Sequence, residues 1–362
     1  MRGGAMFLRN AWYVAAWDSE VTRQPSAVRI LGERIALYRT TAGSPVALED
    51  ACPHRKLPLS MGRVKDDEVE CGYHGLVFNR AGECTRIPGS RNLSRTVHVR
   101  SYPAVSKYGL VWIWMGDASR ADVNCILSVE HWEEPNWDRN RGGTMTVDCN
   151  YLYITDNLLD PSHVAWVHRA SFGNEDCEAN EVEVTESPEG VLASRWIYDS
   201  EVPPFYRGIV SFEGRCDRLQ HYETRFPSHA VIKAVFVPAG SGGPGRSIHD
   251  QALVMDSYNL LTPIDENHTR YYWFQMRNAH VGDESVSRSM DDGVREAFEE
   301  DRVVLAAVHE GFAESTTRSI DLGIDRAPLL FRRRLQSMID AEEGPIAPNH
   351  ARRKVGEAGP PP

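Results

Sequence analysis

Two short loops place the strongest constraint on what this chain can fold into. The sequence reads Cys52-Pro53-His54, continues for sixteen residues, and then reads Cys71-Gly72-Tyr73-His74. Two loops that each carry one cysteine and one histidine can hold one [2Fe–2S] cluster, with both thiolates on one iron and both imidazoles on the other, which is the Rieske arrangement. The alternative is a zinc site of the Cys2His2 type. Zinc fingers usually group cysteine with cysteine and histidine with histidine, so the mixed loops favour the cluster.

Charge and hydropathy narrow the class of protein further. The 362 residues are enough for two domains, and 40 basic against 51 acidic residues give a net charge of −11. This charge argues against a protein that binds nucleic acid or anionic membranes. No apolar run approaches the roughly 18 residues that a membrane span needs, and the N-terminus lacks the apolar region of a signal peptide. We therefore expect a cytoplasmic protein whose natural start is Met1 or Met6.

The hydrophobic pattern predicts two domains of different construction. Residues 6–118 read as short strands separated by turns, including a hairpin of residues 28–31 and 34–38, and predict a small β-domain that carries the two loops. Residues 119–345 read as an α+β segment with an antiparallel sheet. Its predicted strands are residues 143–147, 191–198, 209–212, 218–225, 230–237, 257–261 and 269–277. Residues 346–362, which end in a run of prolines, are expected to form a flexible tail.

A second concentration of polar ligand types lies in residues 156–168. Asn157, Asp160 and His163 recur at steps of three, which predicts that they share one side of a helical turn. His163 and His168 would lie about 140° apart on an ideal helix, so both reach one metal only if the helix is distorted or ends between them. Pro161 supports such a distortion because it lacks a backbone donor. The alternative takes each histidine as an ordinary helix residue.

A later helix offers a third ligand. An apolar stripe at steps of three and four contains a single carboxylate, that of Asp301. A carboxylate that faces a core is costly unless it is paired or bound to a metal, so pairing with an arginine or with backbone N–H groups is the alternative. Glu299 and Glu300 fall off the stripe and are expected on a solvated face. The stripe consists of Val294, Phe298, Asp301, Leu305, Val308 and Phe312. Two histidines and one aspartate form a facial triad that leaves positions open on Fe(II).

Taken together, these motifs resemble those of the oxygenase (α) component of Rieske non-heme iron oxygenases. Within that family the chain looks most like the group that contains vanillate O-demethylase, dicamba monooxygenase and toluenesulfonate methyl-monooxygenase. The resemblance covers nearly the whole chain, roughly from Met6 to Arg334. Its motifs are residues 10–15, Cys52-Pro53-His54-Arg55, residues 71–76, residues 111–114, residues 156–168 and Glu299-Glu300-Asp301-Arg302.

The resemblance implies a fold, ligands and partners. The fold would be a Rieske β-domain followed by a helix-grip-like catalytic domain whose antiparallel sheet is flanked by helices. Asp160 would link a cluster histidine of a neighbouring subunit to an iron-ligating histidine, and Asn157 would lie near the iron. The implied assembly is a head-to-tail homotrimer that receives electrons from NAD(P)H through a flavin/iron–sulfur reductase or a ferredoxin. The implied ligands are Cys52, His54, Cys71 and His74 for the cluster, and His163, His168 and Asp301 for a mononuclear Fe(II) that uses O2.

The implied activity is oxidation of the methoxy or methyl group of a small aromatic acid. O-demethylation to a phenol and formaldehyde is favoured over aryl-methyl hydroxylation, N-demethylation and ring hydroxylation. An electron carrier that uses only the cluster is the remote alternative. Candidate substrate contacts are Asn157, Tyr258 and Asn259, and candidate anchors for an acid group are Arg207 and Arg277.

Overall fold

The computed structural model describes residues 6–90, 96–177 and 181–343; the predicted tail, residues 346–362, lies outside these ranges. The N-terminal half is built from short strands. They are β1 (Trp12–Trp17), β2 (Ser26–Ile30), β3 (Glu33–Arg39), β4 (Pro45–Glu49), β5 (Arg63–Lys65), β6 (Glu68–Glu70), β7 (Val77–Phe78), β8 (Cys84–Arg86), β9 (Ser101–Tyr102), β10 (Ala104–Lys107) and β11 (Leu110–Trp114).

These strands form three small antiparallel sheets, with the orders β1-β11-β10, β2-β3-β4-β9 and β5-β6-β7-β8. The predicted hairpin is confirmed as β2 and β3, which turn at Leu31 and Gly32. Both turn residues have positive φ angles, 51° and 82°, as a tight hairpin with right-handed strand twist requires. The first cluster loop follows β4, and the second connects β6 to β7.

The C-terminal half contains one large antiparallel sheet. Its strands are β12 (Asp138–Arg139), β13 (Gly143–Val147), β14 (Glu183–Glu186), β15 (Gly190–Ser200), β16 (Cys216–Arg225), β17 (His229–Pro238), β18 (Leu253–Pro263) and β19 (Thr269–Arg277). The order is β12-β19-β18-β17-β16-β15-β14, and β13 also pairs with β19. The sequence therefore predicted six of these strands, but the strand predicted at residues 209–212 is wrong.

Residues 209–212 form turns because their backbone donors are used locally. The N–H groups of Ile209 and Val210 both donate to the carbonyl of Tyr206, at 2.9 and 3.1 Å. Tyr206 ends a short 3-10 helix that starts at Pro204, immediately after a second proline at position 203. With their N–H groups used in this turn, Ile209 and Val210 pack in an apolar cluster without entering the sheet.

Three long helices cover the sheet or its edges within the described residues: α1 (Tyr151–Leu158), α2 (Glu284–Glu314) and α3 (Arg326–Glu343). Asp283 caps α2 by accepting from the N–H groups of Ser285 and Val286. α2 carries Asp301, and α3 follows it in the chain. Short 3-10 helices occupy Asp18–Glu20, Leu59–Met61, Ala118–Arg120, Val123–Cys125, His163–Ala165, Glu175–Cys177, Pro204–Tyr206 and Gly323–Asp325.

The large sheet is buried on both faces. One face packs on α1 and α2, where Leu158, Trp273 and Leu305 share a cluster of apolar side chains. The other face packs on the N-terminal domain, where Trp112 meets Phe274. The predicted stripe on α2 is buried only in its first half, because Phe312 is 56% exposed. No helix among the described residues is both long and apolar enough to cross a bilayer.

Candidate metal centres and substrate cavity

The two cysteine–histidine loops have the same backbone hydrogen-bond pattern. In each loop the cysteine N–H donates to the carbonyl five residues on, and the cysteine carbonyl accepts from the N–H four residues on. That fourth residue has a positive φ in both loops, 61° at Lys56 and 68° at Gly75. The bonds are Cys52 N to Leu57 O (2.9 Å), Lys56 N to Cys52 O (2.8 Å), Cys71 N to Leu76 O (2.8 Å) and Gly75 N to Cys71 O (3.0 Å). The backbone of the two loops therefore places the cysteine and histidine side chains of each loop in equivalent positions.

The four side chains of these loops divide into a buried pair and an exposed pair. Cys52 and Cys71 are 2% and 3% exposed, whereas His54 and His74 are exposed and their ring centroids lie 4.5 Å apart. Burial raises the pKa of the Cys52 thiol and contact with Cys71 raises it further, while backbone N–H groups of the loop oppose the rise. Paired sulfurs inside and paired imidazoles outside fit a cluster with one iron of each ligand type.

The second group of ligands assembles after the end of α1. That helix ends at Leu158, a turn containing Pro161 follows, and His163 begins a 3-10 helix. The steps of three in the sequence therefore do not run along one continuous helix, because the proline prevents it. His163 and His168 nevertheless meet, with ring centroids 5.3 Å apart. One ligand atom from each of His163, His168 and Asp301 lies within 4.8 Å of the others.

In both histidines Nδ1 has a hydrogen-bond partner and Nε2 faces the Asp301 carboxylate. Nδ1 of His163 lies 2.5 Å from the Asp160 carbonyl, and Nδ1 of His168 lies 2.8 Å from a Glu300 carboxylate oxygen. Their Nε2 atoms lie 3.9 and 3.2 Å from the Asp301 carboxylate. A histidine that donates through Nδ1 offers the Nε2 lone pair, which is the usual arrangement of a metal-ligating imidazole. These residues therefore fit a metal ion.

Glu300 has a partner that the sequence did not predict. The sequence places Glu299 and Glu300 on a solvated face, and their side chains are 52% and 36% exposed. However, a Glu300 oxygen also accepts from His168, whereas Glu299 pairs with Arg302. Burial lowers the pKa of His163. Burial also acts to lower the pKa of His168, but its hydrogen bonds to Asp301 and Glu300 outweigh this and raise it. The two imidazoles are thus held in different electrostatic surroundings.

Asn157 and Asp160 both touch this group. The Asn157 amide donates to Asp301 at 3.1 Å. The Asp160 carboxylate accepts from the Ser162 N–H at 2.7 Å, and its other oxygen lies 3.9 Å from His163 Nδ1. The side chain of Asp160 is 23% exposed, so it reaches the surface beside His163, whose side chain is 16% exposed.

A cavity adjoins the triad between the helices and the sheet. Its walls are mainly apolar, with Phe172, Ile232, Met255 and Phe298 among the lining residues. Such a shape suits a small ring-containing ligand. The polar side chains in its walls are Asn157, His163, His168, Tyr206, Arg218, Gln220, Tyr222, Ser257 and Asp301, besides Lys233.

The structure corrects most of the predicted substrate contacts. Tyr258 lies on the opposite face of the sheet, where it stacks on Phe274 and its hydroxyl accepts from the Glu130 N–H. Asn259 is on the cavity face but is fully buried, with its oxygen bonded to the Tyr271 hydroxyl. Neighbouring residues of a strand point to opposite faces, and the sequence did not reveal which face held the cavity. Of the predicted contacts, Asn157 is the one that lines the cavity.

The two arginines proposed as acid anchors are also elsewhere. Arg277 is fully buried and donates to Asp138 and Ser287 on the far side of the sheet edge. Arg207 donates to the Val202 carbonyl and pairs with Glu201 near the surface. Neither is among the described residues that line the cavity. Arg218, for which the sequence predicted no role, does line it. Its signal was present in β16, where polar residues occupy alternate positions of a buried face.

Two family models match the chain. The Rieske [2Fe–2S] domain matches residues 11–103, and the vanillate O-demethylase oxygenase C-terminal domain matches residues 147–341. The first match covers both cysteine–histidine loops and decides for the cluster over the zinc alternative. The second covers both histidines and the aspartate of the triad.

Individual proteins are similar over almost their full length. The iron–sulfur subunit of a toluene-4-sulfonate monooxygenase system from Comamonas testosteroni is 36% identical, over 95% of this chain and 100% of that protein. The vanillate O-demethylase oxygenase subunit of Pseudomonas sp. (strain HR199 / DSM 7063) is 31% identical, over 93% and 96%. Dicamba monooxygenase bound to 3,6-dichlorosalicylic acid superposes with a TM-score of 0.87 at 29% identity, covering 94% and 99%. Its structure with non-heme iron and dicamba gives a TM-score of 0.77 at 28% identity.

Proposed function

Because this chain belongs to the Rieske non-heme iron oxygenases, as an oxygenase component related to vanillate O-demethylase, we propose that it oxidises the methoxy or methyl group of a small aromatic acid. The chain is an oxidoreductase that uses a [2Fe–2S] Rieske cluster, a mononuclear iron and O2. It depends on a partner that delivers electrons. O-demethylation, which yields a phenol and formaldehyde, is the favoured reaction.

We assign the cluster to Cys52, His54, Cys71 and His74, in the domain of residues 6–118. We assign the iron to His163, His168 and Asp301, in the domain of residues 119–345. When bound, the cluster supplies single electrons, and the iron, with positions left open by a facial triad, supplies the activation of O2. The observation that carries the proposal is the orientation of both histidines, whose Nδ1 atoms are bonded and whose Nε2 atoms face Asp301.

The chain's own residues have separate tasks in this scheme. Glu300 and the Asp160 carbonyl hold the two imidazoles in position, because each accepts a hydrogen bond from an Nδ1–H group. The Asn157 amide fixes one Asp301 oxygen. The apolar walls of the cavity exclude water from the reacting group. The Asp160 carboxylate, partly exposed beside His163, would bond a cluster histidine of the next subunit and stabilise its protonated form.

Aryl-methyl hydroxylation is the second candidate. The observation in its favour is the 36% identity to a protein of a toluene-4-sulfonate monooxygenase system. The same cavity and ligands serve either reaction, because both begin at a methyl carbon beside the ring or its oxygen. Detection of formaldehyde separates the two, since only demethylation releases it.

The test is a substrate screen with a compatible reductase and NADH. Methoxylated benzoates and methylated benzenesulfonates are supplied in air, and formaldehyde, phenol and benzylic alcohol are quantified. We expect one class of aromatic acid to be oxidised with O2 consumed in step with product. A preparation with its full iron content that oxidises none of them would refute the proposal.

We also propose a cytoplasmic, head-to-tail homotrimer that pairs the cluster of one chain with the iron of the next. Co-expression of Cys71→Ser and Asp301→Ala subunits tests this arrangement. Each variant alone should be inactive, and mixed trimers should regain turnover because an intact cluster then adjoins an intact iron site. Mixed trimers without activity would contradict the pairing between chains.

A further inference from the structure

We propose that Arg218 is the anchor for the carboxylate or sulfonate group of the substrate in the cavity beside the triad. This inference rests on the proposed function and specifies how the cavity selects an aromatic acid. Arg218 is 2% exposed and lies in a cavity wall, while Asp301 lies in the same cavity. The sheet also contributes Lys233 to the lining, but its ammonium group pairs with Glu130 at 3.0 Å and lies 3.7 Å from Asp256. Arg218 is therefore the basic residue of the described lining that no carboxylate neutralises.

The strand β16 directs Arg218 into the cavity. Alternate residues of this strand are buried on the side that faces the helices, and Arg218, Gln220 and Tyr222 belong to that set and line the cavity. Because strand residues two apart share one face, these three side chains form a polar row across an otherwise apolar wall. A polar row on a buried face is costly unless each group has a partner.

Arg218 lacks a counter-charge among the described residues, where it forms no ion pair with a carboxylate. Its Nη1 donates to the Phe172 carbonyl at 2.9 Å and lies 3.6 Å from the Cys177 sulfur. Its guanidinium carbon lies 5.6 Å from the ring of Tyr206 and 5.1 Å from that of Phe236. Its Nε is buried without a hydrogen-bond partner. A buried guanidinium with an open donor is poised for an anion.

Two other polar groups of the sheet wall already have partners. The Gln220 oxygen accepts from Arg195 Nε at 2.7 Å, and the Ser257 hydroxyl accepts from Gln275 at 3.1 Å. Both are neutral, so neither matches Arg218 as a partner for an acid group. Oxidation at the triad requires the methyl or methoxy group to lie there, so the acid group should bind at the sheet wall, where Arg218 lies.

A purely structural role would use Arg218 only to hold the Phe172 carbonyl. That role predicts equal effects of a substitution on charged and neutral ligands. An anchor predicts a selective effect on the charged one. The two roles are therefore separated by the ratio of affinities for a matched pair of ligands, which a general loss of packing leaves unchanged.

The experiment measures binding to iron-loaded, reduced enzyme without O2, so no turnover is needed. The probes are toluene-4-sulfonate with its neutral analogue toluene-4-sulfonamide, and 4-methoxybenzoate with 4-methoxybenzamide. Calorimetry compares wild type, Arg218→Gln, Arg218→Lys and the control Arg207→Gln, whose arginine lies outside the cavity. We expect Arg218→Gln to weaken binding of the acids on the order of 30-fold or more and of the amides by less than about threefold.

Arg218→Lys keeps the charge but loses the planar fork, so it should retain a preference for the acids that is intermediate in size. Arg207→Gln should match wild type. Equal loss of acid and amide binding in Arg218→Gln, or unchanged acid binding, would overturn the inference. Failure of wild type to oxidise any methyl or methoxy substrate would count against the proposed function instead, because these affinities are measured without reaction.

Discussion

The two metal-binding regions are built by opposite means. The cluster loops lie within residues 52–74 and are shaped by backbone hydrogen bonds that repeat from one loop to the other. The triad joins residues 133 positions apart, His168 and Asp301, and its imidazoles are oriented by a carbonyl and a carboxylate. The first site is therefore a property of a short segment, and the second is a property of the fold.

The two regions also differ in what they expose. The cluster histidines lie at the surface, whereas His168 is 5% exposed in the interior. Exposed imidazoles suit electron exchange with another molecule, and an enclosed triad suits chemistry that must exclude water. Asp160, partly exposed and beside His163, lies where these two requirements meet. This contrast leads to predictions that differ between the regions.

The largest effect should come from removing a ligand in either region. Cys71→Ser and Asp301→Ala should both abolish reductase-driven turnover, but for different reasons. Asp301→Ala should keep the visible absorbance of the cluster and its bleaching by dithionite, because the cluster loops do not depend on the triad. Cys71→Ser should lose both signals. A cluster lost in both variants would show that the two regions are not independent.

The next effect tests the residue between the regions. Asp160→Asn retains an oxygen that can accept from the Ser162 N–H, so the local turn should be preserved. It removes the negative charge that would face a protonated imidazole, and turnover should fall on the order of 100-fold, as for loss of a group that handles a proton. Iron content and dithionite reduction of the cluster should match wild type. Unchanged steady-state turnover would disprove the role of this carboxylate.

A smaller effect is expected from the support of the triad. Glu300→Ala removes the acceptor of His168 Nδ1, so iron affinity should fall about 10- to 100-fold. The matched control is Glu299→Ala, because Glu299 is exposed and pairs with Arg302 on the same helix. Iron retention during chelator competition measures both. If the two variants lose iron equally fast, Glu300 does not support the triad.

The smallest effect concerns a buried histidine outside either metal region. His229 packs between the N-terminal domain and the large sheet, and its Nε2–H donates to the Trp12 carbonyl at 3.1 Å. Burial lowers its pKa to about 4, although this bond opposes the shift. Below pH 6.5 the His229 side chain becomes protonated in the unfolded chain, but in the folded chain it stays neutral until about pH 4. Acidification across this window should therefore lower the free energy of unfolding by at most about 3 kcal/mol.

The matched variant for this prediction is His229→Gln, which keeps a donor for Trp12 but does not titrate. Denaturation of both proteins at pH 7 and pH 5 gives the difference in pH dependence, in which contributions of all other groups cancel. Wild type should lose more stability than the variant on acidification. If the stability of both proteins fell equally between pH 7 and pH 5, the fold would not hold His229 in its neutral form.

Sequence patterns predicted the parts of the molecule that depend on local chemistry. The cluster loops could be found because ligand spacing and glycine positions are visible in 23 consecutive residues. The triad was predictable as a set, since Asp301 is the one carboxylate in an apolar stripe. The structure of residues 209–212 was not predictable, because an apolar pattern does not reveal the turn in which Ile209 and Val210 donate to the Tyr206 carbonyl.

The sequence could not predict the role of a side chain when that role depends on which face of a strand or helix packs against a distant segment. Tyr258 and Ser257 are neighbours on β18, yet only Ser257 faces the cavity. Glu300 lies one position from Asp301 and was assigned to solvent because helix periodicity does not include a partner from another segment. No motif in the sequence distinguishes Arg218 from the other arginines, and its position in the same cavity as the triad follows from the packing of the sheet. In each instance the missing information was the packing of distant segments.

Iron stoichiometry tests the central claim of two separate metal regions most directly. Wild type should contain about three irons per chain, two in the cluster and one at the triad. Asp301→Ala should contain about two, with the electron paramagnetic resonance signal of the reduced cluster unchanged. Three irons in the variant, or two in wild type that is fully active, would contradict the assignment of the second region.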